Sequence, residues 1–420
     1  MNILLIHQNF PGQFKYLGPE LAKQGHVVVA FSLKAKKPTT WLGIRILPYK
    51  VGRRSAKGIH PWLVDFETKL VRAEACYDAA LKLRDRSGFS PDVILAHHGW
   101  GEAMFLRDLW PEARLGLYCE FFSGAEAPCT NFDPEFASSR SDKNAPRLRI
   151  KNLSNRMHFD IASAGVSPTA FQADTFPSPF RKKIEVIHDG VDTNALHPDP
   201  EASFVLPEGR VLTRGDEIIT FVNRNLEPYR GYHIFMRALP DLLRLRPNAQ
   251  VLVTGADGVS YSKKPPQGKT WKQIFIDEVR GQIDDADWDR VHFLGTLPYA
   301  NFVQMLQVSR LHIYLTYPFV LSWSLLEIMS VGGTVLASDT APVRELIRDG
   351  ETGALIDFFD SDALVARATE LLDNQEASHK LGRAAREHVI KNYDVKQICL
   401  PQQLAWVDRL AAMPRLRLPL

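Results

Sequence analysis

The stretch that decides the fold runs from Ser322 to Asp357 and reads SWSLLEIMSVGGTVLASDTAPVRELIRDGETGALID. Ser322 to Ser330 is predicted as a helix that begins on small polar residues. After the Gly332-Gly333 break, the apolar run Thr334 to Ala337 is typical of a buried parallel strand. A second helix and the short strand Ala354 to Ile356 then repeat the order. This alternation of helix and strand predicts an α/β domain built on a parallel sheet.

One acidic residue, Glu327, lies near the start of the first of these helices. A helix N-terminus at the carboxyl end of a strand presents unpaired N–H groups and attracts phosphate. A glutamate one turn further in can accept hydrogen bonds from two ribose hydroxyls. Ser322, Ser324, Leu325 and Glu327 are therefore predicted to bind a nucleotide. The alternative is a capping box, in which Ser324 and Glu327 satisfy the helix N-terminus with no ligand.

Composition narrows the class of protein. The 420 residues, 45% hydrophobic and 24% charged, predict a globular chain of two domains. The balance of 51 basic and 48 acidic residues is too even to favour nucleic-acid binding. The four cysteines lack CxxC spacing, which argues against a zinc site and a disulfide framework. Polar residues interrupt the first apolar run before a signal peptide or membrane span could form, so we predict a cytoplasmic protein.

Two groups of predicted strands define two domains. Asn2 to Ile6, a helix and His26 to Ser32 form a βαβ unit, which requires a parallel sheet. A second series of buried strands follows, separated by helical stretches. These strands are predicted at Ile218 to Val222, Gln250 to Gly255, Val291 to Leu294, His312 to Leu315 and Thr334 to Ala337. We expect domains at residues 1–192 and 212–395, a linker at 193–211 and a terminal helix within 396–420.

The run from Ser322 to Gly353 resembles the donor-binding end of glycosyltransferase family 4, whose pattern is a Glu, seven residues and a second Glu before a glycine turn. Glu327 fits the second Glu, whereas Phe319 occupies the place of the first. The resemblance implies a GT-B fold, with two Rossmann-like doubly wound domains facing a cleft. It also implies that the second domain holds a nucleoside-diphosphate sugar, the first holds the acceptor, and the final helix returns to the first domain.

Arg224 and Arg230 follow the strand Ile218 to Val222, where open α/β sheets bind ligands. The family has an Arg followed by a Lys-Gly pair here, and Arg230 with Gly231 fits that pair. Arg224 matches the first Arg only if the loop carries one extra residue, because Asn225 takes that position without a gap. Both arginines are predicted to grip the donor diphosphate and stabilise the leaving group. The alternative is two solvated loop arginines.

Three more residues are assigned to the donor site. Gly12 opens the first helix at a place where the family brings a glycine close to the donor phosphates. Gly255 ends a strand where the backbone would approach the nucleotide, and Leu297 lies in a loop predicted to face the base. A glycine at a strand end is also a common turn requirement without any ligand.

Acceptor-side candidates follow two strands of the first domain. His97 and His98 come after the Val93 strand and are predicted to contact the acceptor or carry a proton. Either could instead be a structural histidine with its own hydrogen bonds. Glu120 stands where many family members have a histidine. Its carboxylate is predicted to bind the sugar or orient the acceptor hydroxyl.

The resemblance thus implies a retaining glycosyltransferase of the hexosyltransferase type that needs no metal and no cofactor. Its expected partners are a nucleoside-diphosphate sugar and a hydroxyl acceptor. A sugar-nucleotide epimerase on the same scaffold, or a sugar-nucleotide-binding protein without turnover, remains the alternative, and Phe319 is the best support for the latter. The basic run Arg181-Lys182-Lys183 and the basic tail allow peripheral contact with the inner face of a membrane, or are a solvated face.

Overall fold

The computed structural model describes residues 1–124, 126–137 and 141–416. The chain divides into two compact units. Unit 1 comprises residues 1–130, 138–190 and 395–420, and unit 2 comprises residues 131–137 and 191–394. The helix at the end of the chain therefore belongs to unit 1. Residues 131–137, which the sequence placed in the first domain, belong to unit 2.

Unit 1 is built on a mainly parallel sheet with the order β3-β4-β2-β1-β5-β6-β7-β8 in the part of the chain that is described. Its strands are β1 (Asn2–Ile6), β2 (Val27–Ser32), β3 (Thr39–Trp41), β4 (Ile44–Pro48), β5 (Val93–His97), β6 (Arg114–Tyr118), β7 (Ala164–Ser167) and β8 (Ile184–Val186). Ile3 to Ile6 of β1 and Val93 to Ala96 of β5 are apolar and buried because helices cover both faces of the sheet.

The helices of unit 1 fill the crossovers between these strands. They are α1 (Leu17–Lys23), α2 (Val64–Ser87), α3 (Leu106–Leu109), α4 (Asn144–Lys151), α5 (Leu153–Ile161), α6 (Ala170–Asp174), α7 (Ser178–Arg181) and, numbered in chain order, α16 (Leu400–Ala412). Trp406, Val407 and Leu410 of α16 are buried in the same hydrophobic cluster as Ile3 and Leu5 of β1. The last helix is thus part of the core of unit 1.

Unit 2 repeats the architecture with a parallel sheet in the order β13-β12-β11-β14-β15-β16. A small antiparallel pair, β9 (Ser203–Val205) and β10 (Val211–Thr213), precedes it. The sheet strands are β11 (Ile218–Asn225), β12 (Gln250–Ala256), β13 (Val291–Gly295), β14 (Leu311–Tyr314), β15 (Val335–Ser338) and β16 (Ala354–Ile356). The prediction of two doubly wound α/β domains is confirmed.

The helices of unit 2 are α8 (Tyr232–Leu245), α9 (Trp271–Val279), α10 (Asp285–Trp288), α11 (Tyr299–Val308), α12 (Trp323–Ser330), α13 (Ala341–Arg344), α14 (Ser361–Asp373) and α15 (Gln375–Tyr393). The stretch 193–211, predicted as a linker, is instead a structured part of this unit. Phe204, Leu206 and Leu212 are buried in its hydrophobic cluster together with Val222 and Leu252. The prolines and acidic residues of that stretch therefore mark turns around a small hairpin.

Residues 131–137 form a short segment, here called the strap, that packs within unit 2. Phe132 contacts Tyr317, Phe358 and Phe359, and Asp133 is buried. The hydroxyl of Tyr317 donates to the Asp133 carboxylate at 2.6 Å, and Nε2 of His233 lies 2.9 Å from the same oxygen.

An ion pair also holds the strap in place. Arg237 forks onto both oxygens of Glu135 at 2.7 and 2.9 Å. Asp133, Glu135 and His233 each offer an atom of a type that can bind a metal ion, and these atoms lie within 4.8 Å of one another. Because hydroxyl and guanidinium donors already bond both carboxylates, the cluster is explained as a hydrogen-bonded anchor of the strap.

Both sheets have a topological switch point, where neighbouring strands continue in opposite directions along the sheet. In unit 1 it lies between β1 and β5, and in unit 2 between β11 and β14. Open α/β sheets bind ligands in the crevice outside the carboxyl ends of the strands at such a point. The loops that follow these four strands are therefore where a site is expected.

Candidate functional site

Arg230 lies at the switch point of unit 2. It ends the 3₁₀ turn Pro228–Arg230 that follows β11, and only 6% of its surface is exposed. Its Nη1 donates to Thr316 Oγ1 at 2.8 Å and to the Val320 carbonyl at 2.9 Å, both in the segment after β14. Among the described residues, no carboxylate pairs with this guanidinium. A buried cation without a counterion is costly to maintain unless an anionic ligand binds it.

The turn that carries Arg230 depends on Gly231. This residue has φ of +66°, and a Cβ at that position would lie 2.2 Å from Cβ of Leu315. Glycine alone permits both the left-handed backbone and the close approach. The chain can then start α8 directly after the turn, which keeps Arg230 over the ends of β11 and β14. Arg230-Gly231 is thus one structural unit, as its match to the family pattern suggests.

Glu327 lies on α12 and is partly buried. The hydroxyl of Tyr299, the first residue of α11, donates to Oε1 of Glu327 at 3.0 Å. This bond joins the start of α11 to the second turn of α12 and fixes one carboxylate oxygen. Tyr299 is 55% exposed, so the pair faces solvent in the described structure.

The capping-box alternative for Glu327 is wrong. The N-cap of α12 is Ser322, whose Oγ accepts the Ser324 N–H at 3.4 Å. Ser324 Oγ in turn donates to Ser322 Oγ at 2.9 Å. Leu325 N–H bonds the Ser322 carbonyl, and the Leu325 side chain is buried in the core. Ser322, Ser324 and Leu325 thus build the helix start, with the first-turn N–H groups of Ser324 and Leu325 already bonded.

Two other predicted donor residues have mainly structural surroundings. A Cβ on Gly255 would lie 2.8 Å from Leu226 and 2.9 Å from the Asn223 carbonyl, so the close approach that requires this glycine is to the protein's own chain. The expectation that its backbone also approaches a nucleotide stays a prediction. Leu297 follows β13 and packs partly buried against the core of unit 2. Arg224 lies near the end of β11, where its side chain is exposed.

Histidines lie close together at the switch point of unit 1. His97, at the end of β5, is 3% exposed, and its ring stacks on Trp100 with centroids 3.9 Å apart. Its Nδ1 accepts the Gly99 N–H at 3.0 Å, so the ring proton of the neutral form lies on Nε2. That Nε2 is 3.5 Å from Oε2 of Glu120. The structure therefore brings His97 and Glu120 together.

Glu120 is ionised at this position. Burial alone raises the pKa of a carboxyl, but the contact with His97 and the nearby rings of His98 and His7 outweigh it and lower the pKa of Glu120. Its side chain retains an exposed fraction of 36%. A carboxylate beside an N–H donor, and open to solvent, is suited to orient a hydroxyl group.

His98 differs from His97. Its Nδ1 is 3.0 Å from the Asn155 side-chain oxygen, and its Nε2 accepts the Phe121 N–H at 3.4 Å. Burial lowers the pKa of His98 to about 3, so the ring is neutral near pH 7. Both ring nitrogens are engaged inside unit 1, which supports the structural alternative for His98 and leaves His97 as the candidate.

His7 was missed by the sequence reasoning. It follows β1, and its ring lies 5.9 Å from that of His97 and 4.6 Å from that of Trp100. Burial and the neighbouring His97 lower its pKa to about 4. Gly12 is required here, since its φ is +47° and a Cβ would come within 2.2 Å of the His7 ring. A histidine directly after each of two adjacent parallel strands was the available signal.

Two comparisons of sequence with known families cover most of the chain. Residues 24–196 match the Glycosyl transferase family 4 group, and residues 208–388 match the Glycosyl transferases group 1. The two matches follow each other along the chain, and each covers most of one α/β unit. The chain is a family 4, group 1 glycosyltransferase. It is a transferase of glycosyl groups.

Individual relatives of this glycosyltransferase are distant. The D-inositol 3-phosphate glycosyltransferase of Corynebacterium efficiens is 23% identical over 387 residues, covering 88% of this chain and 84% of that protein. The chain spans about half the length of several other curated relatives. Low identity of this kind leaves the substrate open.

Solved structures agree on the fold. Sucrose-phosphate synthase from Thermosynechococcus elongatus has a TM-score of 0.73 at 18% identity and covers 98% of this chain and 100% of that one. HepE of Anabaena, solved in complex with UDP and glucose, has a TM-score of 0.65 at 15% identity, with coverage of 98% and 100%. Together with the two Rossmann-like units, these similarities identify the fold as GT-B.

Proposed function

We propose that this glycosyltransferase moves a hexose from a nucleoside-diphosphate sugar to an acceptor hydroxyl with retention of configuration. The observation that carries the proposal is Arg230, a buried guanidinium without a carboxylate partner among the described residues, at the switch point of unit 2. A diphosphate supplies the missing negative charge, and its charge grows as the sugar leaves. HepE, a structural neighbour, binds UDP. Arg224 is proposed as a second cation for the same group.

The ribose end of the donor is assigned to Glu327, whose Oε1 accepts a hydrogen bond from the Tyr299 hydroxyl at 3.0 Å. Cationic side chains neutralise the diphosphate in this proposal, so no metal is required. The acceptor hydroxyl is assigned to His97 and Glu120 of unit 1.

The test is a panel of UDP- and GDP-sugars, screened first by thermal shift and then by turnover with candidate acceptors. Ligands that bind the native state raise its stability, so the donor is identified before the acceptor is known. We expect donor consumption that depends on acceptor. Donor epimerised without acceptor would identify the epimerase instead, and binding without either reaction would identify the binding protein.

Replacement of Glu327 by alanine is expected to weaken binding of the matching nucleoside diphosphate by about 1 to 3 kcal/mol, because the ribose hydroxyls lose a charged hydrogen-bond acceptor. Isothermal titration calorimetry with UDP and GDP measures the change. Glu351→Ala is a suitable control, since Glu351 is exposed and forms only a surface ion pair with Arg348. Equal affinity of Glu327→Ala and the wild type would remove the ribose assignment.

Replacement of Glu120 by glutamine is expected to raise the acceptor KM or lower kcat by about a hundredfold, because an amide cannot accept a proton in the transition state. Donor affinity should stay unchanged, since the diphosphate and the ribose of the donor are assigned to Arg230 and Glu327. Steady-state kinetics at varied acceptor concentration separates the two effects. A Glu120→Gln enzyme with wild-type acceptor kinetics would exclude this role.

We also propose that the protein is cytoplasmic. The cysteines Cys76, Cys119, Cys129 and Cys399 are free and buried, which supports a reducing, cytoplasmic environment. Among the described residues, no helix combines the length and apolar character that a membrane span needs. Peripheral contact through Arg181, Lys182 and Lys183 stays a prediction.

A further inference from the structure

The loop after β12 is fixed by a buried carboxylate. Glu227 is 1% exposed and accepts the main-chain N–H groups of three consecutive residues, Ser260, Tyr261 and Ser262, at 2.9 to 3.3 Å. Ser262 Oγ also accepts the Tyr229 N–H at 3.0 Å. A buried carboxylate is costly unless it is fully hydrogen-bonded. Here its hydrogen bonds specify the position of one short segment.

The fixed segment places the Tyr261 ring over Arg230. The ring centroid lies 5.2 Å from Cζ of Arg230. Tyr261 also meets Phe319 at 4.9 Å and Tyr229 at 6.0 Å, while Phe319 and Tyr229 are 5.2 Å apart. Each ring thus contacts the other two. We call Tyr229, Tyr261 and Phe319 the aromatic wall.

The exposure of the aromatic wall and its place next to Arg230 distinguish it from rings packed in the hydrophobic core. Tyr261 is 38% exposed, and Phe319 is only partly buried, so neither ring is enclosed in the core. Tyr229 and Phe319 follow β11 and β14, the two strands of the switch point, and Tyr261 follows the neighbouring strand β12. The Tyr261 ring lies beside the Arg230 guanidinium, which has no carboxylate partner in the described part of the chain. Whatever is attached to an anion bound at Arg230 is therefore near these rings.

We infer that Tyr261 and Phe319 bind the donor's sugar ring through its apolar C–H face. The inference rests on the proposed function, because it takes the anion at Arg230 to be the diphosphate. The sugar is joined to the terminal phosphorus through one oxygen, which keeps it within roughly 5 Å of that phosphate. A hexose has a flat face of C–H groups, and an aromatic ring packs against such a surface while its hydroxyls stay directed outward.

The wall also predicts how the sugar is selected. Aromatic contact depends on the shape of the C–H face and leaves no buried acceptor or donor unpaired when a hydroxyl is missing. A pocket that reads hydroxyls rejects an analogue lacking one by a large factor. Here, removal of one sugar hydroxyl should change donor affinity by less than about threefold.

The deciding experiment compares Tyr261→Ala with the wild type in titrations of UDP, GDP, UDP-glucose and GDP-mannose. We expect the substitution to weaken binding of a hexose conjugate about tenfold and binding of the corresponding nucleoside diphosphate less than twofold. Tyr261→Phe, which keeps the ring, should stay within twofold of the wild type for both. Phe359→Ala is the matched control, because Phe359 is a 42% exposed aromatic residue of the same unit.

Phe319→Leu provides a second test, since it keeps apolar volume without the ring and does not depend on the fold tolerating Tyr261→Ala. Phe319→Leu is also expected to weaken binding of the hexose conjugate more than binding of the corresponding nucleoside diphosphate. Equal loss for the conjugate and the diphosphate would overturn the inference, because the ring would then act through Arg230. No loss for either ligand, or a wild type that binds a diphosphate but neither conjugate, would overturn it as well. A wild type that binds none of the four would contradict the proposed function itself.

Discussion

Replacement of Arg230 by methionine is expected to lower kcat about 10²- to 10³-fold, which corresponds to about 2.7 to 4 kcal/mol of transition-state stabilisation. Methionine keeps most of the buried stem but removes the charge. Donor affinity should fall by less, because the negative charge on the diphosphate is greatest as the sugar leaves. Steady-state kinetics with the donor found in the panel measures both effects.

Arg383→Met is the matched control, since Arg383 is exposed on α15 and far in sequence from the loops of the switch point. It should leave kcat and KM unchanged. If Arg230→Met lowers donor affinity and kcat/KM equally while kcat is preserved, the guanidinium contributes only uniform binding. If Arg230→Met changes neither donor affinity nor kcat, the assignment of the diphosphate to Arg230 is wrong.

Replacement of Asp133 by alanine is expected to lower the stability of unit 2 by about 3 to 5 kcal/mol, because it leaves the Tyr317 hydroxyl and His233 without their buried partner. For a unit of this size the melting transition should fall by about 10 °C. Differential scanning calorimetry measures the change. Glu126→Ala, at an exposed position of unit 1 just before the strap, should shift the transition by less than about 2 °C.

The Asp133 anchor also predicts a pH dependence. Burial raises the pKa of this carboxyl, but the contacts with His233 and Tyr317 outweigh burial and hold the pKa of Asp133 below its ordinary value. A carboxyl with a depressed pKa in the folded state stabilises the fold fully above its unfolded pKa of about 4, and the contribution is lost as the pH falls further. The stability gap between the wild type and Asp133→Asn should therefore shrink from pH 7 to pH 3. A gap independent of pH would show that the charge does not anchor the strap.

Local pattern was sufficient to predict the two sheets. The apolar run Asn2–Ile6 coincides with β1, and the repeated strand-helix order of the second half gives the observed parallel sheet. Periodicity reports which face of an element is buried, and the glycine turns report where it ends. Arg230 was found for the same reason, since a loop directly after a central strand lies at the switch point.

Contacts between distant parts of the chain were not predictable in this way. Residues 131–137 show neither helical nor strand periodicity, and nothing in their spacing indicates that Asp133 bonds Tyr317, 184 positions away. The same holds for the Tyr299–Glu327 bond and for Glu227, which looks like a loop residue but fixes the segment around Tyr261. Such contacts depend on which loops the finished sheet brings together, and local periodicity and turn residues do not report this.

Thermal shift with UDP and GDP on the wild type, Arg230→Met and Arg383→Met is the direct test of a diphosphate site at Arg230. At least one of the two diphosphates is expected to raise the melting temperature of the wild type and of Arg383→Met, and the shift should be much smaller for Arg230→Met. The free nucleosides should have little effect. An equal shift in all three proteins, or no shift in any of them, would contradict a diphosphate site at Arg230.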